Sequence, residues 1–108
     1  MIVDILGTEY TVTRNTSAIE GMGVDGICNL FDKKIIYKDL KDFLGKEDTV
    51  TAKMVRREEV IRHEVIHAFF VESGLPICGN DEVLVDWLAK QIPKINDVVN
   101  KILKSEED

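Results

Sequence analysis

The sequence predicts an α+β fold: a small amino-terminal sheet packed on one long helix, with two further helices behind it. Three observations lead there. Residues 1–40 hold short β-branched and aromatic runs separated by Gly, Asn and Asp, the pattern of strands and turns. Residues 49–73 keep apolar residues at three- and four-residue spacing without a break, and residues 80–104 hold two more such stretches on either side of Pro93. At 108 residues the chain has enough material for one modest core and is expected to form a single domain.

Taken in order, Ile2 to Leu6 and Glu9 to Arg14 read as paired strands, with Gly7-Thr8 marking the change of direction. Asn15 to Gly26 has three glycines and no sustained periodicity, so a loop is expected, with a helical turn around Ser17 to Gly21. Ile27 to Phe31 and Lys34 to Tyr37, separated by Asp32-Lys33, look like a second hairpin. Asp39 to Asp48 reads as a short helix or structured loop. The long helix is expected over Thr51 to Ser73, capped by Asp48 or Thr49 and stopped by Gly74 and Pro76, which supply a left-handed end and a residue that cannot continue it. Its buried stripe is expected at Met54, Ile61, Val65, Ala68 and Phe69. Asp81 to Gln91 and Lys94 to Lys104 follow as separate helices, with Pro93 kinking or ending the first, before an acidic tail from Ser105 to Asp108.

Composition excludes several classes. The chain is 44% hydrophobic and 31% charged, and no apolar run approaches the roughly 20 residues of a membrane helix. A net charge of -6 argues against direct nucleic-acid binding, which needs clustered cations. The one basic cluster, Lys53, Arg56, Arg57 and Arg62, is interrupted by Glu58 and Glu59 and reads as a solvated helix face. Asp4 and Glu9 stand where a secretory signal would place basic and then apolar residues, so a cytoplasmic location is expected. Cys28 and Cys78 form no CxxC pair and are expected to be reduced.

The chemistry is concentrated in His63-Glu64-Val65-Ile66-His67. On a helix, residues four apart differ by about 40° in azimuth and about 6 Å along the axis, so His63 and His67 project side by side and can share one metal. Zinc favours such nitrogen ligands, and a catalytic site uses three protein ligands and leaves a fourth position for water. Glu64, offset by about 100° from His63, is placed to reach that water as general base. Two histidines scattered at random fall four apart about 2% of the time, and glutamate then follows the first about 9% of the time, so chance yields the motif roughly twice in a thousand.

With only two histidines in the chain, the third ligand must be of another type. Glu82 leads: it begins a helix reached by a connection short enough to fold back beside the first. Asp86, one turn later on the same face, is positioned to accept a hydrogen bond from a ligand histidine's second nitrogen and so fix the ring. Asp81 would substitute as ligand were that helix rotated, or else cap it; Glu59 is a further outer partner, and Cys78 a remote one. Glu72, about 140° around from His67, reads as an ordinary exposed glutamate.

His63-Glu64-Val65-Ile66-His67 followed by Asn80-Asp81-Glu82-Val83-Leu84-Val85-Asp86 resembles the gluzincin class of metallopeptidases, to which thermolysin belongs. The resemblance covers residues 63–86; the short chain and the sheet ahead of the helix also resemble the compact ImmA/IrrE-like peptidases and related phage and prophage metallopeptidases. It implies a minimal zincin-like domain, one zinc per chain held by His63, His67 and Glu82, Asp86 behind a ligand histidine, Glu64 as general base, and hydrolysis of a peptide or protein substrate lying along an edge strand, for which Lys34 to Tyr37 is the candidate. No third histidine follows the helix as metzincins and SprT-like proteins would require. The histidine or tyrosine that stabilises the oxyanion in larger gluzincins has no evident counterpart either; Tyr10 and Tyr37 are the substitutes, and both read more simply as sheet residues. The competing reading is a non-catalytic module in which zinc fastens two helices for protein interaction. A carboxylate poised over an open metal position favours catalysis over that reading.

Overall fold

The computed structural model of the protein describes residues 1–107; Asp108, the end of the expected acidic tail, lies outside the described residues. β1 (Ile2–Ile5) and β2 (Thr8–Arg14) form the first hairpin. Its turn is Leu6-Gly7, at φ 51° and 91°, not Gly7-Thr8. Two consecutive positive φ values match the twist of the flanking strands, and Asp4 Oδ1 accepts the Gly7 N–H at 2.9 Å, which holds Leu6 where a side chain is disfavoured. Thr8 therefore pairs with Ile5 and opens β2.

β3 (Gly26–Asn29) and β4 (Lys34–Tyr37) form the second hairpin, with a longer connection than Asp32-Lys33 alone. Asn29 Oδ1 accepts the N–H groups of Phe31 and Asp32, both at 3.0 Å, so the chain leaves the sheet before Leu30 and Phe31 stands almost fully exposed. β2 pairs in parallel with β4, giving a four-stranded mixed sheet of order β1-β2-β4-β3. The loop from Asn15 to Asp25, with a 3-10 turn at Ser17–Ile19, carries the chain across to the far edge.

A second 3-10 turn, Leu40–Asp42, and fully buried Phe43 lead into α1 (Val50–Glu72). Thr49 caps it, its Oγ1 accepting the Ala52 N–H at 3.1 Å, and Gly74 at φ 82° follows the end. α1 lies across one face of the sheet, where Ala68 packs with Ile5, Tyr10 and Ile35. α2 (Pro76–Gly79) is a single turn, and α3 (Glu82–Ser105) returns beside α1 so that Ile66 meets Val85 and Ala89. The buried arc of α1 thus differs from the expected stripe: Met54 and Phe69 are exposed, while Val60 and Ile66 are buried. Two partners, sheet and helix, cover α1 from different directions, and a single-stripe reading averages over both.

α3 corrects the expectation of two carboxy-terminal helices, for it passes through Pro93 without a break. A proline inside a helix has no N–H for the carbonyl four residues back, here that of Ala89. Arg62 Nη1 donates to that carbonyl at 2.8 Å from α1 and replaces the missing partner. Other members of the basic cluster are equally engaged: Lys53 is buried, its Nζ donating to the Lys41 carbonyl at 3.0 Å, and Arg56 pairs with Asp25 and Glu59. Among the described residues no helix is long and apolar enough to cross a membrane.

Candidate metal centre

His63 and His67 sit one turn apart on α1, and the short α2 turns the chain back so that α3 begins facing them. Asp81 caps α3, its Oδ1 accepting the Leu84 N–H at 3.0 Å, and so occupies the non-ligand role of its two alternatives. That places Glu82 in the first turn. Its Oε2 lies 3.0 Å from His63 Nε2 and its Oε1 3.0 Å from His67 Nε2, while the two Nε2 atoms are 3.2 Å apart. One ligand atom from each of the three residues falls within 4.8 Å of the others.

The protonation pattern follows from the second nitrogens. His67 Nδ1 lies 2.6 Å from the Gly79 carbonyl, which can only accept, so Nδ1 carries a hydrogen and Nε2 is the nitrogen that faces Glu82 and His63. His63 Nδ1 faces Asp86 Oδ1 at 3.8 Å, longer than a direct hydrogen bond. The other Asp86 oxygen accepts from Lys90 Nζ at 2.9 Å, and that bond holds the Asp86 carboxyl below its ordinary range. Two imidazole nitrogens and a carboxylate converge on one point, where either an imidazole N–H shared with Glu82 or a cation between the three groups joins them. A divalent metal suits such a donor set, and a proton is its minimal substitute.

Glu64 is buried, 7% exposed, beneath this cluster. Burial pushes its carboxyl above the ordinary range, His63 and His67 pull it back, and Glu82 adds to the rise. It lines two clefts that meet at His63: one of about 440 Å³ against Gly26, Ile27 and Cys28 of β3, which Asn80 also borders, and one of about 180 Å³ bounded by Asp25 and Arg56. On the outer side, Val83, Asp86 and Trp87 of α3 flank His63 and Glu82. Burial, reinforced by Glu64, pushes the Cys28 thiol up to about 12, so it stays protonated and acts as packing.

Several expectations are corrected here. Lys34 to Tyr37 is not an edge strand, because β2 and β3 flank it; the edge beside the cluster is β3. The Asp25 carbonyl accepts the Lys38 N–H at 3.2 Å, which fixes the antiparallel alternation so that Gly26 and Cys28 turn their backbone N–H and C=O away from β4. Glu72 is partly buried, its carboxylate 3.4 Å from the Tyr10 hydroxyl and 3.3 Å from Lys33 Nζ. Tyr10 is thereby spoken for: burial and Glu72 push its hydroxyl up to about 12, and it lies in the core. Tyr37 lines none of the three clefts around His63. Glu59 pairs with Arg56 at 2.9 Å, and Cys78 is not among the converging groups.

Gly26, Gly79 and Asn80 were invisible as site residues in the sequence. Gly26 lies where α1 crosses the sheet: a Cβ there would stand 2.8 Å from Val60 Cγ1 and 3.4 Å from Glu64 Cγ. Its place at the end of a glycine-bearing loop hid that role. No family model, curated protein or solved structure matches the chain.

Proposed function

We propose that this protein is a zinc-dependent peptidase of minimal, zincin-like architecture, with His63, His67 and Glu82 as metal ligands. The observation that carries the reading is the convergence of these three groups above a buried glutamate from the same helix. When bound, zinc supplies Lewis acidity toward a peptide carbonyl and an attacking water. Glu64 accepts the proton of that water and returns it to the leaving amine; its raised pKa moves it toward the range suited to both transfers. The Gly79 carbonyl holds the hydrogen of His67 on Nδ1, and Asp86, 3.8 Å behind His63 Nδ1, would accept that ring's hydrogen once a metal draws it into place. An extended peptide adds to β3 through the free backbone groups of Gly26 and Cys28, which brings its scissile bond past Glu64. A structural zinc site would ordinarily bring four protein ligands, so three ligands beside an open cleft favour catalysis over a helix fastener.

The test is elemental analysis of the purified protein followed by screening against a mixed peptide library. One zinc per chain is expected in the wild type, lost in His63→Ala/His67→Ala, reduced in Glu82→Ala, and retained in a Glu64→Gln variant that no longer cleaves. A wild type that takes up no zinc after supplementation sinks the proposal.

A further inference from the structure

The carboxy-terminal half of α3 stands clear of the body. The buried residues of α3, Val85 and Ala89, lie in its first third, and every residue from Lys94 to Ser105 is exposed. The radius of gyration is 15.6 Å, against about 13 Å for a compact chain of this length. The projecting half is nevertheless apolar along one side: Ile95, Val98, Val99, Ile102 and Leu103 are each 45–58% exposed and fall within an arc of about 140° at 100° per residue. With Leu88 and Ile92, which line an apolar groove against α1, Ile95, Val99 and Ile102 continue the alternating four- and three-residue spacing of a helix-pairing seam.

The arrangement of these side chains selects the partner. Ile95 lies three residues before Val98, and Ile102 lies three after Val99, so the pattern reads the same from either end of the helix. A two-fold axis between Val98 and Val99 sets Ile95 against Ile102 of a second copy and Val98 against its Val99, a self-complementary contact. The same rotation brings Glu106 of one copy level with Gln91 of the other, within one turn of its Lys94, and opposes the two helix dipoles. We propose that a second copy of this chain covers the face, as an antiparallel, two-fold α3 pair. The apolar surface available is on the order of 500 Å² per copy, comparable with the apolar part of a standard interface, which buries roughly 800 Å² per partner and is a little over half apolar. This inference is independent of the proposed activity.

Sedimentation velocity on the full chain, from about 1 µM to about 1 mM, should show a monomer–dimer equilibrium in that range. Val99→Glu and Ile102→Glu, at half-exposed positions, should keep the helical circular dichroism and weaken association by about a hundredfold. A monomer throughout, or a dimer that both variants retain, overturns the proposal. For the register, Cys28→Ala/Cys78→Ala chains carrying Ile95→Cys should form disulfides with chains carrying Ile102→Cys and not with themselves; self-linkage of Ile95→Cys overturns the antiparallel arrangement.

Discussion

At the scale of single residues, the proposed centre depends on the groups that position His63, His67 and Glu82 as much as on those three side chains. Asp86→Asn should weaken metal affinity by about 10- to 100-fold while leaving stoichiometry at saturation unchanged, as competition against a fluorescent zinc chelator would measure. Asp25 anchors the start of β3 beneath the smaller cleft: burial alone would raise its carboxyl, but Lys38 and Arg56 together hold it below the ordinary range. A depressed carboxylate contributes stability that is present above its unfolded pKa and disappears as pH falls through the folded one. Asp25→Asn should therefore cost about 1–3 kcal/mol at pH 7, and thermal melts of the two proteins should converge as the pH drops into and below the carboxylate range. Trp87, the one tryptophan of the chain, flanks His63 and Glu82. Its emission should fall on titration with Co²⁺ and recover with excess Zn²⁺, and neither change should occur in His63→Ala/His67→Ala.

At the scale of elements, the sequence was most legible where a local rule sufficed. The cap at Thr49, the stop at Gly74 and the strand Lys34–Tyr37 each follow from a few neighbouring residues. So did the one-turn spacing that makes His63 and His67 neighbours, and the capped start that sets Glu82 in a first turn. What stayed hidden depends on distant residues. The parallel pairing of β2 with β4, which moves the free edge to β3, leaves no trace in either strand. The close crossing at Gly26 requires α1 to be in place. Gly26→Ala should cost about 1–3 kcal/mol through overpacking against Val60, read from chemical denaturation. If the peptidase reading holds, it should also lower turnover by shifting Glu64, with zinc content unchanged.

At the scale of the whole molecule, α1 packs on the sheet, α3 follows it in the chain and returns along its other side, and the candidate metal centre sits on the seam between the two helices. A metal bound at the proposed centre would stabilise the folded state by mass action, so chelation should lower the melting temperature of the wild type and leave that of His63→Ala/His67→Ala unchanged. The pairing of Arg62 with the carbonyl freed by Pro93 bears on the same seam. Any helix tolerates sliding along a greasy neighbour, but this one carries a keyhole at a single level. A slip of α3 by one turn, about 5.4 Å, would strand the Ala89 carbonyl without a donor and, in the same movement, carry Glu82 out of reach of both imidazoles. The proline that looks like a flaw in the helix is thus a vernier mark, and it sets the distance at which the two halves of the centre meet.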